Sequence, residues 1–576
     1  MTEIKDENMI EEKIKKLIKD ALENLDVEVT EIFLEHPASL LMGDYSTNIA
    51  MACAKALKAN PKELAEKITK ELLRLNNDKY IEKIEASAGF INFFLSRKFF
   101  ADSVEKMLNQ GDDVGANAVL SGKKIMIEYT DPNPFKPFHI GHLMTNAIGE
   151  SIARILEHSG ATVSRANYQG DVGLHVARAV WGLMQNKKLQ DQAVSHTVQA
   201  ANIGAAYASG SEQYENHKEE IDAINKKIYD RNDKKINEIY DWGFKVTMQA
   251  FEDLYKMLGT KFDFYFLESI MAPIGEKIVQ KNIGKVFEES DGAIVFKAEK
   301  HDPKLHTRVF ITSTGLPTYE TKEFGLTEEK FKMIPDMNLS IVITANEQAD
   351  YMKVVAKALS LVHPEYEKKM RHITHGMMKF AFGKMGSRTG NVITGEALLN
   401  DVRDAILEKM TDRDFSNVER EKVAMDVAVS AIKYSILKQN TGGDIIYDFE
   451  KSISFEGDSG PYLQYSCARA NSILEKAKKE DILPDPDILM TEIFEVEKLL
   501  YRFSEVVWRS AQEYEPHYIA NYLIELARSF NSFYGHTVIV NKEDPTSAYK
   551  VSLTFTFTSV MKKGLHLLGI QAPEKM

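Results

Sequence analysis

Cysteine is scarce in this sequence, with two residues, Cys53 and Cys467, in a chain of 576. So low a count argues against a disulfide-stabilised scaffold and against a zinc site built on cysteine thiolates. It fits a protein of the reducing cytosol. We therefore predict a cytoplasmic location and no zinc.

Long apolar runs and metal-binding patterns are missing as well. No stretch of about 18 apolar residues exists, so we predict no transmembrane helix and no membrane partner. Residues 1–26 are charged and lack the apolar core of a signal peptide. There is no H-E-x-x-H motif, and His372 and His375 have no third ligand beside them, so we predict no protein-bound metal.

Positive charge is in deficit, since 72 Lys and Arg face 85 Asp and Glu and give a formal net charge of -13. That balance is weak evidence against a nucleic-acid partner, because phosphate binding needs a local basic face rather than a basic total. The length is enough for three or four domains and a large core.

The most informative segment present is His139-Ile140-Gly141-His142, where a predicted strand passes into a predicted helix. Residues 124–128 alternate apolar and polar, and residues 143–160 have helical periodicity. The histidines are three positions apart, which places their rings on one face of the first turn. A helix start offers unpaired N–H groups and partial positive charge that favour phosphate, and Gly141 leaves room for a flat group.

The segments along the chain predict three parts. Residues 1–112 form a small α/β domain in which Asn60-Pro61-Lys62-Glu63 marks a helix start. Strands and helices alternate over residues 123–398, which favours an α/β fold with a Rossmann-like, doubly wound parallel sheet. Residues 185–256 are predicted to be a helical insertion, and residues 399–576 to be all-helical. The predicted strands of the middle part are 124–129, 161–168, 308–312, 340–344 and 376–382.

Around the histidines, the run P-N-P-F-K-P-F-H-I-G-H-L (residues 132–143) resembles the first motif of class I aminoacyl-tRNA synthetases. The P-N-x-x-K-P sequence before the histidines (residues 132–137) resembles the form that this motif takes in the arginyl-tRNA synthetase family. G-K-M-G-S-R-T-G-N (residues 383–391) stands where this class has its second, lysine-containing motif, with Gly386 and Thr389 replacing the usual Ser and Lys. G-D-V-G (residues 170–173) resembles the family's G-D-x-G.

The resemblance implies an arginine–tRNA ligase that binds ATP with Mg²⁺, L-arginine and tRNA(Arg), and we expect a monomer. It implies catalytic roles for His139, His142, Lys384 and Arg388, whose positive charge and donors would meet the triphosphate. The residues implied to bind ATP are His139, Gly141, His142, Gly170, Asp171, Lys384 and Met385.

An arginine pocket is implied by the same resemblance, because a guanidinium group needs fixed carboxylates and planar acceptors. Glu323 stands where the family has Asp, so its carboxylate is one methylene further from the backbone. The residues implied to bind arginine are Glu128, Asn133, Tyr319, Glu323 and Gln348.

The end of the chain also resembles this family. F-E-G-D-S-G-P-Y-L-Q-Y (residues 455–465) resembles the opening of its helical anticodon-binding domain. The resemblance implies tRNA contacts from Tyr462, Arg469 and Tyr534, since aromatic and arginine side chains stack on unpaired bases. The resemblance also implies that residues 1–112 are the family's N-terminal domain, which touches the outer corner of the tRNA.

Three alternatives stay open at this point. Another class I synthetase, such as one for cysteine or glutamate, shares the first motif, although the cysteines of a zinc site are absent. A non-catalytic tRNA-binding relative is disfavoured by the intact His139, His142 and Lys384. A small-molecule nucleotidyltransferase with H-x-G-H has no use for the tRNA-type C-terminal region.

Overall fold

A three-stranded antiparallel sheet flanked by helices forms the N-terminal part of the protein. The computed structural model describes residues 10–29, 31–381, 394–410, 416–488, 490–574 and 576. The N-terminal elements are α1 (Ile10–Glu23), β1 (Tyr45–Thr47), α2 (Ile49–Leu57), α3 (Pro61–Leu75), β2 (Ile81–Ser87), β3 (Phe90–Leu95) and α4 (Arg97–Gln110), with sheet order β1-β3-β2. Asn60 caps α3 by accepting from the Lys62 N–H at 2.9 Å, which confirms the predicted helix start.

A five-stranded parallel sheet with helices forms the middle of the protein. Its segments are β4 (Lys124–Glu128), α5 (Ile140–His158), β5 (Thr162–Gln169), α6 (Leu174–Gln185), α7 (His196–Glu212), α8 (Lys218–Asp230), α9 (Lys234–Met257), β6 (Phe264–Leu267), α10 (Glu268–Lys281), β7 (Glu288–Ser290), β8 (Ala293–Phe296), β9 (Arg308–Ile311), α11 (Tyr319–Met333), β10 (Leu339–Ala345), α12 (Ala349–Val362) and β11 (Met370–His375). The strand order is β11-β10-β4-β5-β6 and every pairing is parallel. The chain reverses its direction of winding between β4 and β10, so a crevice opens at their carboxyl ends. The predicted fold class is confirmed.

Two of the predicted strands lie elsewhere, and two strands of the main sheet, β6 and β11, are not among the predicted ranges. The prediction that 308–312 joins the parallel sheet is wrong, because β9 pairs in the antiparallel order β7-β8-β9. Asp291 and Gly292, with φ of 50° and 78°, form the tight hairpin turn between β7 and β8. Strand β6, which lies at one edge of the sheet, was not predicted because a four-residue apolar run does not distinguish a strand from a helix.

The predicted strand 376–382 is also wrong as one element of the sheet. The sheet strand is β11, and Gly376 ends it by packing against the Gly443 backbone, where a Cβ would lie 2.2 Å from the carbonyl oxygen. Beyond this point β12 (Met378–Phe380) pairs in parallel with β13 (Ile445–Tyr447) in a separate two-stranded sheet.

Helices make up most of the C-terminal part that the structure describes. They are α13 (Gly395–Lys409), α14 (Asn417–Leu437), α15 (Phe449–Ser452), α16 (Gly460–Lys479), α17 (Glu495–Leu500), α18 (Phe503–Glu513), α19 (His517–His536) and α20 (Ser547–Leu567). They share a continuous apolar core with α5 of the middle part. Arg97 of α4 forms an ion pair with buried Glu497 of α17, which ties the N-terminal part to these helices. No helix in the described ranges is long and apolar enough to cross a membrane.

Two glycines let α10 and α11 approach backbone to backbone. A Cβ on Gly275 would lie 1.8 Å from the Thr321 carbonyl oxygen, and a Cβ on Gly325 would lie 2.0 Å from that of Met271. This close contact fixes the N-terminal halves of the two helices relative to each other, and these halves carry Glu268 and Glu323 of the crevice.

Gly325→Ala should therefore destabilise the protein by about 1–3 kcal/mol, because the added methyl group must push the helices apart. Thermal denaturation measures the effect. Gly535→Ala is the matched control, since a Cβ there meets nothing within 4 Å, and its Tm should be unchanged or higher. Equal melting temperatures for Gly325→Ala and the unsubstituted protein would contradict this account of the helix contact.

Candidate active site

Two stacked imidazoles begin helix α5 in the crevice. His139 is the N-cap residue, and its Nδ1 accepts the Gly141 N–H at 3.1 Å. His142 Nδ1 accepts the His139 N–H at 3.2 Å, and the ring centroids are 3.5 Å apart at an interplanar angle of 20°. The prediction that both rings lie on one face of the first turn is confirmed.

These hydrogen bonds fix which nitrogen of each ring carries the proton. Because both Nδ1 atoms accept, each neutral ring carries its proton on Nε2. Burial, together with Lys136, lowers the pKa of His139, and burial lowers that of His142 well below its usual value. Both rings are therefore neutral at pH 7. The Gly141 N–H is occupied by His139 Nδ1, so the side-chain donors that this helix start offers are the two Nε2–H groups.

The loop before α5 has an unusual backbone that places its polar groups. Thr130, Asp131 and Phe135 have φ of 81°, 47° and 68°, and non-glycine residues with positive φ cluster at functional sites. Asn146 of α5 donates to Thr130 Oγ1 at 3.0 Å, and Asp131 Oδ1 accepts the N–H of Tyr168 at 2.7 Å. The neighbouring elements thus hold this loop in its strained conformation.

The 170–173 loop lies beside Asn133 of the same segment. Asn133 Oδ1 accepts the Gly170 N–H at 3.0 Å, so two predicted site residues are in contact. Asp171 is already occupied, since its carboxylate accepts from the Ser269 N–H at 2.9 Å and from the Tyr240 hydroxyl at 3.1 Å. These contacts make Asp171 a support for the start of α10.

Buried carboxylates gather at the carboxyl ends of the strands. Glu128, the last residue of β4, is 2% exposed, and Lys330 Nζ lies 2.5 Å from its Oε2. Glu323 accepts a hydrogen bond from the Tyr351 hydroxyl at 3.1 Å. Burial and the negative charge of Glu128 raise the pKa of Glu323 to about 8. The predicted pocket residues Glu128 and Glu323 are therefore part of one electrostatic cluster.

The other two predicted arginine-site residues are exposed. Tyr319, at the start of α11, is 65% exposed, and the Lys322 ammonium lies 4.9 Å from its ring centroid. Gln348 lies exposed after the end of β10. Both are placed at the rim of the crevice rather than among its buried carboxylates.

Glu268 is a site residue that the sequence reasoning missed. It follows β6 directly, is 7% exposed, and its Oε2 lies 2.6 Å from Lys322 Nζ. A Cβ on Gly170 would lie 3.2 Å from its Oε1, so this oxygen borders the 170–173 loop. An acidic residue directly after a parallel strand was the available signal, but it depended on recognising β6.

Lys384, Met385 and Arg388 of the second, lysine-containing motif lie outside the residues that the structure describes.

The three predicted tRNA contacts come together around one cavity of the helical part. The Arg469 guanidinium lies 5.4 Å from the Tyr534 ring centroid and donates to Asn531 Oδ1 at 2.5 Å. Asn531 in turn donates to the Tyr462 hydroxyl at 2.9 Å. The cavity beside them measures about 490 Å³, and Tyr462, Tyr465, Arg469 and Asn531 contribute to its lining. Tyr534 is 45% exposed, so an aromatic face is open beside a cation.

Comparison with known families shows to which family this chain belongs. Residues 103–449 match the model for the tRNA synthetases class I (R) catalytic domain, which is more than half of the chain. The chain belongs to the arginyl-tRNA synthetase family. Residues 12–95 match the arginyl tRNA synthetase N terminal domain, and residues 463–576 match the DALR anticodon binding domain.

Relatives of this arginyl-tRNA synthetase family member match it along its whole length. It is 31% identical to an arginine–tRNA ligase of Clostridium perfringens, covering 98% of this chain and 100% of that one. It is 30% identical to the Borrelia hermsii ligase, again covering 98% and 100%. The arginyl-tRNA synthetases of Thermus thermophilus and Plasmodium falciparum share its fold, with TM-scores of 0.79 and 0.78, identities of 24% and 20%, and coverage of 98% or more of each chain.

Family membership settles the class of reaction. Arginyl-tRNA synthetases are class I arginine–tRNA ligases that use ATP, and this chain is an enzyme of that kind. The alternatives of a cysteine or glutamate synthetase, a non-catalytic relative and a small-molecule nucleotidyltransferase are set aside.

Proposed function

We propose that the crevice at the carboxyl ends of the central strands joins L-arginine to ATP as arginyl-adenylate and then transfers the arginyl group to the 3'-terminal ribose of tRNA(Arg). The observation that carries this assignment is the pair of neutral Nε2–H donors at the start of α5, in the crevice that also contains the buried carboxylates. The Nε2–H donors suit phosphate, and the buried carboxylates suit a guanidinium group.

The first step needs orientation and positive charge rather than a base. The arginine carboxylate is ionised at neutral pH and attacks the α-phosphorus directly, forming the new P–O bond as pyrophosphate leaves with the electrons of the broken one. His139 and His142 donate through Nε2 to phosphate oxygens that gain charge in the transition state. ATP enters as its Mg²⁺ complex, with phosphate oxygens as the main metal ligands.

The remaining ATP contacts are assigned from their positions in the motifs. Lys384 and Arg388 neutralise the departing pyrophosphate, and Met385 is assigned to ATP binding with them. Gly141 and Gly170 allow the nucleotide to approach the backbone, while Asp171 acts through its bonds to Ser269 and Tyr240.

Arginine recognition is assigned to the acidic side of the crevice. Glu128, Glu268 and Glu323 supply the negative charge that a guanidinium group requires. Asn133 accepts the Gly170 N–H and, like Glu268, borders the 170–173 loop. Tyr319 and Gln348 contact the amino acid from the rim.

Binding of tRNA is assigned to both ends of the chain. Tyr462, Arg469 and Tyr534 stack on and hydrogen-bond unpaired anticodon bases. Residues 1–112 contact the outer corner of the tRNA. We keep 123–398 as the catalytic domain, with residues 185–256 as its insertion, and 399–576 as the anticodon-binding domain. The enzyme is a cytoplasmic monomer without zinc, and both cysteines are buried free thiols.

Tyr534→Ala should raise the KM for tRNA by about 5- to 150-fold, because losing a base–aromatic stack costs about 1–3 kcal/mol. The KM for arginine should stay the same, since Tyr534 lies in the helical part. Aminoacylation at varied tRNA concentration measures the effect. Trp508→Ala is a control, as it removes another exposed aromatic side chain of the helical part that does not line this cavity. An unchanged KM for tRNA in Tyr534→Ala would contradict the assigned stacking.

Charging of bulk tRNA with each of the twenty amino acids in turn tests the proposed function as a whole. Arginine should be the amino acid that becomes attached, and its attachment should require ATP. Charging with a different amino acid, or none at all, would overturn the proposal.

A further inference from the structure

A buried ammonium group lies among the acidic residues of the crevice. Lys330 is 2% exposed, and its Nζ lies 2.5 Å from Oε2 of Glu128, which is equally buried. A buried ion pair is weak evidence for stability, because desolvation offsets the attraction of the charges. Its place in the crevice therefore calls for a functional explanation.

The helix that carries Lys330 also carries Glu323. The two residues are seven positions apart on α11, two turns along the same face. Helical side chains tilt toward the N-terminus, so the lysine reaches back toward Glu323. Several elements contribute the titratable and charged groups around Asp131 and Glu323. They are Glu128 at the end of β4, Tyr168 of β5, Glu268 of α10, Lys330 of α11 and Tyr351 of α12.

The charges of this cluster do not balance. In the part of the chain that the structure describes, the three acids Glu128, Asp131 and Glu323 face one ammonium group, that of Lys330, since Lys322 is paired with Glu268. Burial, followed by the charge of Glu128, raises the pKa of Asp131 and of Glu323, the latter to about 8, while Lys330 opposes both shifts. Among the residues that the structure describes, no other cation faces these two acids. Proton binding near neutral pH therefore belongs to the pair rather than to either residue.

We infer that Lys330 is the fixed counter-ion of the arginine pocket, and that the cluster of Glu128, Asp131 and Glu323 exchanges a proton for the guanidinium group when arginine binds. This inference rests on the proposed function in one respect, the placement of Glu323 in the arginine site. A guanidinium group stays protonated at every physiological pH, so its arrival supplies the missing positive charge. Lys330 acts as a positioning residue, because its ammonium group, 2.5 Å from Glu128 Oε2, holds that carboxylate in place for the substrate.

The sign of the pH dependence follows from the raised pKa. Arginine binds the ionised cluster, so its affinity should rise as the pH increases toward 8 and then level off. Below that point, each unit of pH should weaken binding by up to about tenfold for one released proton. A pocket without a stored proton would show a flat profile in this range.

Isothermal titration calorimetry of the full-length enzyme with L-arginine measures the exchange directly. Titrations at pH 7.0 in buffers with different ionisation enthalpies should show the release of about one proton, declining by pH 8.5. Glu323→Gln is measured beside it, because it controls for proton changes of the ligand's own α-amino group. The proton release of the Glu323→Gln variant should be clearly smaller than that of the unsubstituted enzyme.

Variants of the lysine test its part in the exchange. Lys330→Met should shift the rise in arginine affinity to higher pH and weaken binding at pH 7.5 by tenfold or more, whereas Lys330→Arg should restore much of the loss. Lys332→Met is the matched control, since Lys332 lies 70% exposed on the same helix and pairs with Glu329. A purely structural role for Lys330 would weaken binding without moving the pH profile.

The outcomes separate this inference from the proposed function. Arginine binding with no proton release at pH 7.0 in the unsubstituted enzyme would overturn the exchange and leave the arginine site standing. Failure to bind arginine at all would overturn the proposed function. The measurement on the unsubstituted enzyme decides the matter even where Lys330→Met does not fold.

Discussion

Replacing His142 with alanine should slow arginyl-adenylate formation by about a hundredfold or more, the usual effect of removing a preorganised donor to a developing anion. The affinity for arginine should change little, since the imidazole donates through Nε2 to phosphate and not to the amino acid. His139→Ala should act similarly. Single-turnover formation of the adenylate, with tRNA present, measures the chemical step apart from product release.

His139 has two tasks, and a second substitution separates them. As the N-cap it accepts the Gly141 N–H, so alanine also removes a cap worth about 0.5–2 kcal/mol of stability. His139→Asn keeps an N-cap acceptor but has no Nε2–H. It should retain the thermal stability of the unsubstituted enzyme and still lose the rate. Normal adenylate formation in both His139→Asn and His142→Ala would remove the phosphate role from the pair.

The arrangement of the central sheet was predictable because its strands are separated by long helical stretches. Residues 124–129, 161–168 and 340–344 each fall on an observed strand of that sheet, since buried parallel strands need apolar side chains on both faces. The small antiparallel sheet was also accessible, because Asp291-Gly292 is a strong hairpin signal. Overlooking that turn placed β9 in the wrong sheet.

The rest of the site could not be predicted, because it depends on contacts between segments that are far apart in the sequence. The motif placed His139 and His142 at a helix start, but only the three-dimensional contacts show that both Nδ1 atoms are occupied. Glu268 depended on β6, whose four residues look like any apolar run. The pairing of Glu128 with Lys330 joins residues 202 positions apart, and no local pattern predicts it.

Replacing Glu323 with glutamine should produce the other large effect, a rise in the KM for arginine. Removing one charged partner of a buried pair costs about 2–5 kcal/mol, which corresponds to an increase of roughly 30-fold or more. The KM for ATP should hardly change, because Glu323 lies with the carboxylates and not beside the imidazoles. Steady-state aminoacylation at saturating tRNA measures both constants.

The size of this effect should depend on pH, and that dependence distinguishes lost charge from lost shape. The pKa of Glu323 is raised to about 8 in the absence of ligand. At pH 7 arginine binding must therefore also release a proton, which lowers the net affinity for arginine. Glutamine resembles the protonated acid, and the ratio of the two KM values should therefore be larger at pH 8.5 than at pH 7. Glu323→Asp keeps the charge and should be tolerated far better. Glu329→Gln alters an acid of the same helix that pairs with the exposed Lys332 rather than with the carboxylate cluster, so it should behave as the unsubstituted enzyme. Equal KM values for arginine in Glu323→Gln and the unsubstituted enzyme would leave Glu128 and Glu268 as the acids that hold the guanidinium group.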